Sequence, residues 1–292
     1  MLAHRPSPRR SCLELAGRAA LDGDPGIRHA DSMQMQFVQA HRASAKARVA
    51  LIGPPGSGKT YSALRIAAGL GCQRIGLVDS ERGKSRKQAD KGVEFGVLQL
   101  PNHSPRTYIE ALDAAAKAGI DGLIIDSLSH EWTGDQGALE MVAAVAKQTD
   151  SGNEFAAWKA VSPEHARLFD VLLQYPGHVI GTMRSRKAYE MVDVPNRAGR
   201  MVKQPREIGL EPVQREGFEY EFDVVGMLDQ DHRWLLSKSC CEAYPRGAVV
   251  PQPGVEFGQK LALWLRSGGN QQQQRASDNG TPAAAHSDGV AF

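Results

Sequence analysis

Apolar residues along this chain fall into two spacings. Val49–Ile52, Ile75–Asp79, Leu123–Asp126 and Val179–Thr182 are short, nearly unbroken apolar runs, the pattern of strands buried on both faces. Between them apolar positions recur at helical spacing: Leu64, Ala67 and Ala68, then Tyr108, Ile109, Leu112 and Ala116, then Leu168, Val171, Leu172 and Tyr175. Ser104-Pro105 and Ser162-Pro163 each read as an N-cap followed by a first helical residue, and Gly119 and Pro176-Gly177 as stops. Strand and helix in alternation predict parallel β-α-β units, hence an α/β fold. Later, Phe222–Leu228 and Trp234–Ser237 flank the polar turn Asp229-Gln230-Asp231-His232, which predicts an antiparallel hairpin. No internal repeat is visible.

The two ends lack this patterning. Residues 1–34 mix Pro, Gly, Arg and Asp and predict a poorly ordered extension, with Met33 and Met35 standing beside Met1 as alternative starts. Residues 268–292, rich in Gln, Gly, Ser and Ala, predict a disordered tail, which leaves 35–267 as one domain. With 292 residues and 41% hydrophobic content, one sizeable core is what the chain can build. A formal net charge of +2 excludes a basic field over the whole molecule, so any nucleic-acid contact must come from a local patch. The four cysteines form no C-x-x-C pair, which argues against a zinc site or disulfide framework and fits a reducing cytoplasm. No apolar run approaches the roughly 20 residues of a membrane span.

Directly after the first strand stands Gly53-Pro54-Pro55-Gly56-Ser57-Gly58-Lys59-Thr60. It matches G-x-x-x-x-G-K-[ST]: glycines let backbone N–H groups close round phosphate oxygens at a helix N-terminus. Lys59 would reach the outer phosphates and Thr60 would hold Mg²⁺ through its hydroxyl. Tyr61 follows at the margin of the same loop. This pattern predicts a bound nucleoside triphosphate such as ATP, and such a loop needs a second acid for the metal. Asp126 closes an apolar strand and fits that role, the alternative being a plain strand-end turn residue.

Asp126 is followed by Ser127, so no glutamate stands beside it as a base for water. Glu81 in "LVDSERG" ends the strand predicted to neighbour Asp126, and parallel neighbours end on one edge. It is the candidate base, against an ion pair with Arg82 or Lys84; Glu131 is the reserve. His130 is expected as a hydrogen-bonded structural histidine and Trp132 and Trp158 as packing residues.

The phosphate loop, "LVDSERG" and "LIIDSLSHEW" together resemble RecA-like ATPases, in particular the small AAA-type ATPases of bacteriophages and prophages. The resemblance continues through "FAAWKAVSPEHARLFD", "HVIGTMRSRKAYE" and "EPVQREGFEYEFDVV", over roughly residues 36–266. It implies a RecA-like P-loop fold: a mostly parallel twisted sheet flanked by helices, with a C-terminal antiparallel hairpin. It also implies a homo-oligomeric ATPase acting on single-stranded DNA in phage-type recombination or annealing, alongside phage or host recombination proteins. Lys59, Thr60, Asp126 and Glu81 occupy the matched positions. RecA-like proteins carry DNA-binding loops after comparable strands, and here that segment holds Arg184, Arg186, Lys187, Arg197, Arg200, Lys203 and Arg206, with Tyr189 as a ring for base stacking. Pro195, Gly199 and Pro205 suggest a loop; a solvated face or a lid over nucleotide are the other readings. Many RecA-like ATPases place Lys-x-Arg at a late hairpin tip to reach a neighbour's nucleotide. Lys238 matches that lysine as a catalytic finger, but Cys240 replaces the arginine, so an ordinary strand-end lysine stays open. Two other functions compete: a P-loop kinase for a small molecule, and an ATP-switched binding module with little turnover.

Overall fold

The computed structural model describes residue 37 and residues 40–148, 153–195 and 200–278, with side chains in the last stretch to 267. The extension 1–34, the alternative starts Met33 and Met35, and Arg197 lie outside the described residues. The chain divides after Ala40, and the elements below belong to the second unit.

Six strands run parallel in the order β3 (Gly96–Gln99), β2 (Ile75–Asp79), β4 (Gly122–Asp126), β5 (His178–Pro195), β1 (Arg48–Gly53) and β7 (Val224–Leu228). β8 (Arg233–Ser239) and β9 (Val249–Pro251) extend the sheet antiparallel beyond β7. β1, β2 and β4 are buried along their whole length, as unbroken apolar runs demand of strands covered on both faces. On one face α1 (Lys59–Gly69) and α6 (Val255–Asp278) pack through Leu64, Ile66, Phe257 and Leu261 onto Leu51, Ile124 and Trp234. On the other, α2 (Pro105–Lys117) and α5 (Glu154–Gln174) pack through Tyr108, Leu112, Leu168 and Leu172 onto Ile52, Leu123 and Ile125. Fully burying one such side chain contributes about 1.5–3 kcal/mol. This is the expected α/β architecture, a mostly parallel sheet flanked by helices, with the expected antiparallel hairpin.

Local signals explain most helix ends. Ser104 caps α2 by accepting from the Thr107 N–H at 3.2 Å, with Pro105 at the first helical position. The second Ser-Pro is different: Pro163 lies inside α5, which begins nine residues earlier under Asn153, whose Oδ1 accepts from Phe155 and Ala156 N–H. Tertiary burial overrides the local start signal, because Ala157 and Val161, upstream of the proline, are buried with Val142 and Ala146 of α4 (Ala138–Lys147). At the far end, α6 continues to Asp278, so the boundary expected after 267 falls within a helix.

The basic segment after Val179 is not a loop. β5 runs beyond the sheet to Pro195 and pairs antiparallel with β6 (Met201–Pro212) as a two-stranded ribbon, with a bulge at Ala188/Tyr189. Each ribbon strand has a free edge, so Pro195 and Pro205 forfeit no central ladder bond. Most of its side chains beyond Ala188 are exposed, including Tyr189, Met191, Met201 and Ile208.

Candidate active site

Parallel strands deliver their C-terminal ends to one edge, and the register makes the meeting specific. Asp79 lies opposite Asp126, Asp126 opposite Thr182, and Gly53 opposite Arg184. The loop from Gly53 to Gly58 turns above this edge with Gly56 and Gly58 at φ +81° and +89°, a conformation that favours glycine. A cavity of about 620 Å³ opens there, lined by Lys59, Thr60, Glu81, Asp126, Arg184 and the loop glycines.

Inside it every charged group has a partner. Lys59 Nζ donates to the carbonyls of Gly53 and Pro54, each at 2.8 Å. Burial holds its pKa below the usual lysine range, against the pull of Asp126 and Glu81. Thr60 Oγ1 donates to Asp126 Oδ2 at 2.6 Å, and Thr182 donates to the other carboxylate oxygen. Burial pushes the Asp126 carboxyl up, the two threonine hydroxyls opposing it. A buried carboxylate with a raised pKa beside an alcohol offers hard oxygens, which fit Mg²⁺. No cluster of three or more His, Cys, Asp or Glu stands ready for a metal among the described residues.

Glu81 reaches the cavity as expected, but not as a free base. It accepts from Arg184 Nη2 at 2.5 Å and from Lys84 at 3.1 Å. Burial raises its pKa, and these two cations outweigh burial and leave it below the usual range. Arg184, expected on DNA, instead stands on the phosphate edge opposite Gly53, its N–H donating to Ser129 Oγ. Glu131, the reserve base, is fully buried away from the cavity, paired with His165 Nδ1 at 2.9 Å and with Gln214. His130 bonds Ser80 Oγ at 2.7 Å, and burial, with Arg184 and His103 nearby, pushes its pKa down to about 4. Trp132 and Trp158 stack on each other, 5.4 Å between centroids.

Lys238 does not join this group. It pairs with Val225, near the N-terminal end of β7 and so at the opposite edge of the sheet, and its ammonium donates to the carbonyls of Glu219 and Tyr220. The hairpin tip is Asp229–His232, and from it His232 Nδ1 bonds the loop carbonyl of Ser57 at 2.9 Å. Sequence reasoning passed over His232, although a turn following a strand parallel to β1 must lie at the phosphate edge. Tyr61 lies under the Arg65 guanidinium, 5.5 Å away, and with Gly58 it also lines a second cavity of about 970 Å³ that His232, Tyr244 and Gln252 help enclose.

On the ribbon, the expected DNA-contacting side chains are partly neutralised. Arg186 pairs with Glu211, Lys187 with Glu207, and Arg206 with Glu190, all exposed. Lys203 and Arg200 stand further out, exposed near the distal end of the ribbon. Among the described residues no helix is long and apolar enough to cross a membrane.

A family model described as "AAA domain" matches residues 45–249. Among curated proteins, an adenylate kinase of Haloarcula marismortui is 28% identical over 83 residues, which is 28% of this chain and 36% of that protein. The match thus spans about a third of that relative's length. Among solved structures, the RadB recombinase is 17% identical at a TM-score of 0.42, covering 72% of this chain and 90% of that one.

Proposed function

The chain belongs to the AAA domain family, and from that premise we propose that it is a Mg²⁺-dependent ATPase that works on single-stranded DNA as a homo-oligomer. The observation that carries the enzymatic part is the meeting of Lys59, Thr60, Glu81, Asp126 and Arg184 in one cavity, contributed by three strands and one helix. Each has a role in phosphoryl transfer to water. Lys59 exchanges two backbone carbonyls for phosphate oxygens, while Thr60 and Asp126 hold the metal. Mg²⁺, when bound, neutralises charge developing on the phosphates. Glu81 takes the proton of the attacking water as the bond to the leaving diphosphate breaks. Its pairing with Arg184 depresses its basicity, so a phosphate that draws Arg184 away also frees the base.

For DNA, the support is the ribbon. A projecting two-stranded element with exposed Tyr189 and the cations Arg186, Lys187, Arg200 and Lys203 offers a ring for stacking and charge for backbone contact. The adenylate kinase match favours a second reading, phosphoryl transfer to a small molecule with the ribbon as lid. Phosphate release from ATP, measured with and without single-stranded DNA and with Lys59→Ala as control, decides between them. The DNA-directed reading expects a Lys59-dependent rate that DNA raises several-fold. A phosphorylated small-molecule acceptor, or a rate indifferent to DNA, overturns it.

A further inference from the structure

Among the described residues, Ser57, Ser127 and Ser185 carry buried hydroxyls without a hydrogen-bond partner, and the last two line the cavity that holds Lys59 and Asp126. Their surroundings make this unusual. The Ser127 backbone is fully engaged, its N–H donating to Ser80 Oγ at 2.7 Å and its carbonyl accepting from Tyr108 Oη at 2.8 Å. Ser185 forms the first rung of the ribbon, opposite Pro212, one residue after Arg184 is pinned to Ser129. A buried hydroxyl left without a partner is destabilising, a penalty that a ligand able to bond it would remove.

We infer that Ser127 and Ser185 donate to the terminal phosphate of a nucleoside triphosphate and so distinguish it from the diphosphate, an inference that rests on the nucleotide reading of this cavity. The order of the site supports this position. The larger cavity beyond Gly58 and Tyr61 is the continuous space able to take the nucleoside, and neither serine lines it. Ser127 stands instead just after β4 and Ser185 where β5 leaves the sheet for the ribbon, beside Asp126 and Arg184, where the phosphate furthest from the nucleoside would arrive. Because Ser185 opens the ribbon, a phosphate bonded there also touches the element proposed to meet DNA.

The test is the rise in melting temperature given by Mg²⁺ with ADP and, separately, with the non-hydrolysable β,γ-imido analogue of ATP, in the wild type, Ser127→Ala, Ser185→Ala and Ser185→Thr. In both alanine variants the unliganded melting temperature should equal or exceed that of the wild type, because an idle donor has been removed. The shift with ADP should persist, while the additional shift with the triphosphate analogue should shrink to match about a tenfold weaker affinity. Ser185→Thr, which keeps the hydroxyl, should restore it. The inference is overturned if the unliganded melting temperature falls in the alanine variants, if both shifts fall together, or if discrimination is unchanged. A wild type that responds to neither nucleotide, or a Lys59→Ala variant that responds fully, would instead remove the nucleotide reading and this inference with it.

Discussion

At the scale of single residues, the site is a set of groups held in pairs until a ligand separates them. Asp126 is the plainest case: burial raises its pKa, and its two oxygens are occupied only by the hydroxyls of Thr60 and Thr182. A cation would reverse that penalty, since an adjacent positive charge favours the ionised carboxylate. Asp126→Asn should therefore leave the unliganded fold near wild-type stability yet abolish the tightening of nucleotide binding by Mg²⁺, as read in a Mg²⁺ titration of nucleotide affinity. Equal tightening in the variant would remove Asp126 from the metal site. Lys59 and Thr60 were legible in the sequence because a phosphate loop fixes residue types at fixed offsets, and Asp126 because it closes an unbroken apolar strand. Arg184 and His232 were not, since their place depends on strand order: β5 and β7 flank β1, and only that adjacency carries the residues after them to the phosphate edge.

Among elements, those with a single environment were legible and those with a mixed one were not. The sequence predicts β2 to the residue because it is buried throughout. The ribbon was missed because its outer strands face solvent on both sides, so neither alternation nor a continuous apolar run marks them, and prolines stand where a free edge tolerates them. The first turn of β5 carries a different kind of information. His178 Nδ1 accepts from the Ala47 N–H at 2.9 Å, tying β5 to the start of β1, and burial together with Lys46 and Arg48 pushes its pKa from 6.5 down to about 4. A histidine depressed in the folded state adds stability above the unfolded value of 6.5, and that stability is lost as pH falls towards about 4. His178→Asn keeps an acceptor at that place without titrating. Its urea midpoint should fall only about half as steeply over this window as that of the wild type, His130 accounting for the remainder. Parallel profiles for the two proteins would show that His178 binds its proton alike in the folded and unfolded chain, with no depression on folding.

For the molecule as a whole, a net charge of +2 leaves little long-range attraction for nucleic acid, so the proposed DNA contact depends on a local patch such as the ribbon. The ribbon is continuous with β5, and β5 carries Arg184 at the phosphate edge, so one strand links the chemistry to the projecting surface. Lys238, at the opposite edge, has no part in that link within its own chain. The account therefore turns on Glu81, the carboxylate that Arg184 holds in check. The most direct measurement compares ATP affinity and turnover in the wild type and Glu81→Gln, a change that keeps size and one accepting oxygen but cannot take a proton. ATP affinity should stay within about threefold while turnover drops by about 100-fold or more. A Glu81→Gln protein that hydrolyses ATP at the wild-type rate would contradict the account.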